Sequence, residues 1–164
     1  LSDICIRPID SDDGDWIERF VTERWGAEFV VAHYEVFHCR ELPGFVATEG
    51  EEKVGLLTYK ITNDNCEIVS LDSLRQRAGI GTSLIEAVKA AAIESGCKRL
   101  WLVTTNDNMN ALRFYQKRGF VLVKINRNAL EFARKLKPIP LIGAEGIPLR
   151  DEIELEIMLG EADC

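Results

Sequence analysis

Two glycines one residue apart, Gly79 and Gly81, stand in the stretch RQRAGIGTSLIEAV (residues 75–88). Before them runs CEIVSL (66–71), which reads as a buried strand, and after them an amphipathic stretch that reads as a helix. The first turn of a helix exposes unpaired N–H groups and the positive end of the dipole, and glycine lets an anion approach the backbone, so the stretch has the chemistry of a phosphate site. Arg75 and Arg77 flank it with positive charge. Close packing at a helix start explains the same glycines without a ligand, and on spacing alone both readings stand. Two familiar phosphate motifs fail. A dinucleotide fingerprint needs glycine or alanine where the chain has Leu84, and no G-x-x-x-x-G-K-S/T is present.

Farther along comes Asn108-x-x-Ala111-x-x-x-Tyr115-x-x-x-Gly119-Phe120. Taken in order with Gln76-x-x-Gly79-x-Gly81, it resembles the GNAT superfamily of acyl-CoA-dependent N-acetyltransferases, closely over residues 66–123 and loosely in the flanking strands. The resemblance implies an α/β (α+β) fold, in which a mixed, mostly antiparallel central sheet of about seven strands is flanked by helices and splayed between its fourth and fifth strands. One acetyltransferase domain would then cover residues 1–164, a length and composition that suit a single core. It further implies acetyl-CoA as cosubstrate, with the pantetheine arm in the splay, paired with backbone at Val69 and Leu71 in the manner of an added strand. The pyrophosphate would rest on the N–H groups of Gln76, Arg77, Ala78, Gly79, Ile80, Gly81 and Thr82, and Asn108 would hydrogen-bond the cofactor where the arm meets the next helix. Read simply as residues, Arg75 and Arg77 have surface cations as their alternative reading and Asn108 a helix N-cap.

The implied reaction is transfer of an acetyl group to a primary amine by direct attack in a ternary complex. Such an amine is mostly protonated at neutral pH, so a base is useful, and the departing thiolate needs a donor. Tyr115, which matches the family's tyrosine, is the candidate donor; a core tyrosine on the face of Ala111 is the alternative. Full proton transfer from a phenol to a thiolate is uphill by about 2 kcal/mol at ordinary pKa values, which leaves hydrogen-bond donation as the safer role. Glu67 is the candidate base. It shares strand parity with Val69 and Leu71, so the three are expected on one face with Asp72 on the other. Many family members carry the glutamate one pleat earlier, where this chain has Asn65, so a catalytically weak CoA-binding module of the same fold is the rival reading. Asp72 and Asp107 are weaker base candidates. His33 and His38 lack the spacing of a zinc motif and are expected to be structural or substrate-lining; neither a metal nor a catalytic cysteine is expected.

The elements that must position these residues alternate. A strand at DICIRP precedes a helix capped by Ser11 or Asp12, carrying Ile17, Phe20, Val21 and Trp25 and ended by Gly26. Residues 28–42 read as a loop with a short helical turn. Strands follow near 45–48, 54–61 and 66–71, then a helix over 79–95 and a strand over 98–105. A helix then ends at a cationic last turn and Gly119, followed by a strand at 120–125 and helical character over 127–137. In the final strand, EIELEIML, the alternation predicts Ile153, Leu155 and Ile157 inside and Glu152, Glu154 and Glu156 wet, with an edge open to a second copy in a homodimer. The net charge of −7 disfavours a nucleic-acid partner, and no apolar span or secretory signal opens the first twenty residues, so neither a membrane partner nor export is expected. Five scattered cysteines without a C-x-x-C pair read as reduced thiols. A cytoplasmic protein acting on a small-molecule or peptide amine is the expectation, with acceptor-side segments at 25–40 and 127–150.

Overall fold

In the computed structural model the described residues are 3–75 and 79–160. Nine strands and four α-helices follow one another as β1 (Ile4–Pro8), α1 (Gly14–Trp25), β2 (Phe29–Ala32), β3 (Glu35–His38), β4 (Gly44–Glu49), β5 (Glu52–Thr62), β6 (Asn65–Ser73), α2 (Ile80–Glu94), β7 (Arg99–Thr105), α3 (Met109–Lys117), β8 (Val121–Asn126), α4 (Ala129–Arg134) and β9 (Glu152–Met158). Seven strands form the central sheet, in the order β1-β4-β5-β6-β7-β9-β8; only β6 and β7 run parallel.

One face of the sheet packs on α2 and α3. Their apolar stripe buries Ile80, Leu84, Ile85, Val88 and Tyr115 against Leu57, Cys66, Ile68, Leu100 and Leu155. The other face is covered by α1 and the β2–β3 hairpin, where Ile17, Phe20, Val21, Val30 and Phe37 meet Val46, Leu56 and Val69. The entry to α1 is a short 3-10 turn, Ser11–Asp13, closed by a reciprocal Asp10–Asp13 capping box, so the cap lies just before the expected Ser11 or Asp12. Gly26, in the left-handed region, ends α1 as the sequence predicts.

Three expectations are corrected. Residues 29–38 form a two-stranded hairpin, whose turn residues His33 and Tyr34 take φ of 38° and 69°. That two-residue left-handed turn usually calls for Asn or Gly, which is why the chain did not read as a hairpin there. Second, β9 is an interior strand between β7 and β8, so the open edges are β1 and β8. Third, Glu152 and Glu154 are buried. The hairpin and Arg99 cover that face: Glu152 accepts the His33 main-chain N–H, Arg99 Nη2 donates to Glu154 at 2.8 Å, and Arg99 Nε reaches Glu156. Alternation marks two faces of a strand; it does not say that the charged one is wet.

Candidate active site

The parallel β6–β7 ladder is short. Its pairs are Asn65–Arg99, Cys66–Leu100 and Glu67–Trp101, and none lies beyond them. Among the described residues no strand pairs with β6 on its β7 side from Ile68 onward, while β7 continues along β9 to Thr105. The sheet therefore opens between its fourth and fifth strands, and two peptide edges face a gap.

The β5–β6 register slips at the same level. Thr58 opposes Ser70 and Tyr59 opposes Ile68, leaving Val69 without a partner on β5. This bulge resets the parity of the strand. Val69 packs on the α1 side, as does Ser70, whose hydroxyl is 2.6 Å from Thr58 Oγ1, whereas Leu71 packs on the α2 side. The expectation that Glu67, Val69 and Leu71 share one face is thus corrected, and Asp72 moves to the α1 side, where its carboxylate accepts from Trp25 Nε1 at 2.8 Å. Burial pushes the Asp72 carboxyl up against the opposing pull of Trp25 and Arg24.

Two adjoining cavities occupy the opening. One, of about 270 Å³, lies within the splay, lined by Val69, Ser70 and Leu71 on one side and by Leu102, Val103 and Thr104 on the other, with Asn108 at its margin. The second, of about 500 Å³, extends toward the start of α2 and includes Gly79, Ile80, Gly81 and Thr82. Arg24, Leu71, Asp72, Ala111 and Tyr115 border both, so the two share a wall and together make a cleft of the size of a ligand site.

The glycines serve different ends. Gly79 is the N-cap of α2 at φ 75°, a conformation that a side chain would strain, and no side chain among the described residues caps the helix there. The first intrahelical bond is Ser83 N–H to Gly79 C=O, so the first-turn amides at Ile80, Gly81 and Thr82 precede it. Gly81 is small because a Cβ would meet the Phe114 ring at 3.0 Å, which is the close-packing reading of the glycine spacing. Gln76, Arg77 and Ala78 lie outside the described residues.

Positive charge is placed otherwise than the sequence suggested. Arg75 borders the larger cavity but is committed to two carboxylates, Glu49 and, at 2.6 Å, Glu52. Arg118 has no carboxylate partner among the described residues. It stacks on Phe114 at 3.7 Å and donates to Thr82 Oγ1 at 2.6 Å and to the Phe114 carbonyl at 2.8 Å, which fixes its guanidinium on the cavity wall. As a cation in the last turn of a helix it read only as a partner of the dipole. Arg24, from α1, also borders the cleft and donates to the Ser73 carbonyl.

Tyr115 is 7% exposed, borders both cavities, and its hydroxyl has no hydrogen bond to any described residue; since no fully buried polar side-chain atom lacks a partner among the described residues, that hydroxyl opens onto the cleft. Burial is the main cause that pushes its pKa far up, with a contribution from Asp72. Asn108 is an N-cap, accepting the Ala111 N–H at 3.0 Å, and it also borders the splay, so its two readings are compatible. Glu67 sits at the last paired position before the gap, 5% exposed, with its Oε2 2.5 Å from His33 Nε2. Asp107 is structural: it holds the segment after α4 by accepting the Ala144 N–H at 2.9 Å, and it accepts the Thr105 hydroxyl at 2.5 Å. Cys39, Cys66 and Cys97 are buried thiols, and burial pushes Cys66 up to about 12. Among the described residues no group of three or more His, Cys, Asp or Glu is placed to hold a metal ion, and no helix is long and apolar enough to cross a membrane.

Comparison with known proteins agrees with this geometry. The uncharacterized protein YxbD of Bacillus subtilis is 44% identical over 143 residues, covering 86% of this chain and 90% of its own. Human N-alpha-acetyltransferase 30 is 30% identical over 113 residues, 64% of this chain but 31% of that longer protein. Among solved structures, a GNAT family acetyltransferase from Elizabethkingia anophelis with acetyl-CoA bound superposes with a TM-score of 0.70 at 22% identity, covering 96% of this chain and 99% of the other. The family model described as the acetyltransferase (GNAT) family matches residues 13–120, which include α1, the bulged strand β6, the start of α2 and all of α3. The chain with this splayed sheet and cleft belongs to the acetyltransferase (GNAT) family.

Proposed function

We propose that the protein transfers an acetyl group from acetyl-CoA to a primary amine of a small molecule or peptide, by direct attack while both substrates are bound. The observation that carries this reading is the splay itself, in which two strand edges with no partner among the described residues flank a cavity, and an adjoining one runs from Tyr115 to the start of α2. Acetyl-CoA supplies a thioester activated toward amines. The unpaired β6 edge at Val69 and Leu71 suits an extended amide-bearing arm, and the first-turn amides from Gly79 to Thr82 suit a diphosphate. Arg118 adds a cation with no carboxylate partner among the described residues, and the name of the human relative favours nitrogen as the acceptor atom.

Tyr115 donates a hydrogen bond to sulfur as the C–S bond breaks. Its raised pKa rules against full proton transfer, because an ordinary phenol already lies above a thiol of about 8.5. Glu67 takes the proton that the amine must lose. The acceptor is expected on the α1 face, where Glu67 and Asp72 both lie.

A thermal melt with CoA tests binding, since ligand at 100 times its Kd adds about 2.7 kcal/mol and raises the midpoint by about 5–10 °C. Release of free thiol from acetyl-CoA with a panel of free amino acids, tetrapeptides and polyamines tests turnover. A midpoint shift without thiol release from any amine would favour the rival, a CoA-binding module.

A further inference from the structure

Glu67 is a poor base as a lone carboxylate. An ordinary glutamate falls short of an ammonium by about four to six powers of ten in basicity. Glu67 is 5% exposed, and its neighbour in this structure is the His33 ring, at 2.5 Å and 20% exposed.

We propose that Glu67 and His33 act as one base, in which the proton taken by Glu67 from the acceptor amine comes to rest on the His33 imidazole and leaves to solvent from there. The inference rests on the acetyltransferase reading above. In the step, an ammonium N–H bond breaks and its proton goes to Glu67. The Glu67 O–H then gives that proton to His33 Nε2, forming imidazolium beside carboxylate, and the ring releases a proton to water. The amine lone pair left behind forms the new C–N bond as the C–S bond of the thioester breaks, and the second proton of the attacking nitrogen passes to the departing thiolate, so that the products are the amide and the free CoA thiol.

The surroundings are built for this position. The residue stands at the hairpin turn, with its main-chain N–H held by Glu152 at 3.0 and 3.1 Å, and its ring lies at a steep angle to Phe37 and tilted against Trp101, at 5.6 and 5.1 Å between centroids. Trp101 is the strand partner of Glu67, so one residue pair fixes both members. The charged groups that face the imidazole are Glu67 from β6, Glu35 from β3 and Glu152 from β9. Burial opposes charge on His33, yet these three carboxylates outweigh it and hold the ring above its ordinary 6.5. Even an ordinary imidazole is about two powers of ten better matched to an amine than a free carboxylate is, and the direction of the shift brings His33 closer still.

The test is direct, because the chain has only two histidines. In a ¹⁵N NMR titration of the rings, His33 should titrate above pH 6.5 and move down by one pH unit or more in Glu67→Gln. With saturating acetyl-CoA and the fastest amine of the panel, kcat should rise with pH along the His33 titration curve. His33→Gln should move that limb at least two pH units lower and reduce plateau kcat by about tenfold to a hundredfold, with KM for acetyl-CoA unchanged. His33→Asn, which tolerates the positive φ, should behave alike and guards against a folding defect in the first variant. A kcat limb unchanged in both variants, or a ring indifferent to Glu67→Gln, would overturn the pairing while leaving the acetyltransferase reading intact. Absence of thiol release by the unmodified protein with every amine would remove both.

Discussion

Replacing Tyr115 by phenylalanine separates a catalytic tyrosine from a core one, because the two roles predict opposite patterns. The ring is 7% exposed, lies 5.2 and 5.3 Å from Phe114 and Phe120, and packs with the α2 side of the core. Phenylalanine keeps all of that. The hydroxyl has no protein partner among the described residues, so its removal breaks no hydrogen bond and strands no buried acceptor. Stability should therefore change by less than about 0.5 kcal/mol, about 1–2 °C in midpoint for a chain of this size. Loss of a donor aimed at developing charge is larger, about 3–4 kcal/mol or two to three powers of ten in kcat. Since burial holds the phenol well above its ordinary value, no basic limb from Tyr115 should appear in the accessible pH range of the parent. The assay pairs thermal melts with thiol release at saturating acetyl-CoA. A variant with unchanged midpoint, unchanged CoA affinity and kcat lowered at least a hundredfold is the expected result. Turnover within threefold of the parent would refute the donor role, and a fall of several degrees in midpoint would refute the account of an unpartnered hydroxyl.

Arg118→Ala should weaken CoA binding by about tenfold, about 1.4 kcal/mol, and flatten its salt dependence, leaving kcat at saturation near the parent value by calorimetry and turnover assays. Asp13 is 1% exposed and accepts from Arg7 through two bonds of 2.8 Å, from Lys53 at 2.8 Å and from the Asp10 N–H at 2.9 Å. Asp13→Asn leaves two cations facing a neutral group and should lower stability by about 3 kcal/mol, about 6–12 °C in midpoint. The Arg7 bond, opposed by burial and reinforced by Lys53, holds the Asp13 carboxyl far below its ordinary value. Its contribution is accordingly complete above about pH 4, the unfolded value, and is lost as pH falls toward the folded one, so acid melts of the variant should show a shallower slope below pH 4 than the parent.

Much of this arrangement is legible in the chain because helices announce themselves locally. The periodic apolar residues of α2, the Asn108 cap and the Gly119 stop fix where Tyr115 and the helix start must lie, and the structure places them there. What could not be read depends on contacts between distant segments. Period-two parity put Leu71 beside Glu67, but a bulge at Val69, set by pairing with β5, turns Leu71 to the other face and brings Asp72 round. The hairpin carrying His33 hides because its turn uses His and Tyr at positive φ where a sequence reader looks for glycine. Arg75 looked like the phosphate cation until Glu49 and Glu52 met it, and Arg118 looked like a helix end until Phe114 and Thr82 aimed it at the cleft. The two charge assignments differ by packing alone.

The central claim is that the gap between β6 and β7 holds the acetyl-CoA arm while the start of α2 holds its phosphates. Amide hydrogen exchange with and without CoA tests it most directly. The account predicts new protection concentrated at the gap-facing amides of residues 68–71 and at Gly79–Thr82, with the β1, β4 and β8 amides unaffected. Saturating CoA that leaves those two segments unprotected, or protects a different surface instead, would contradict it.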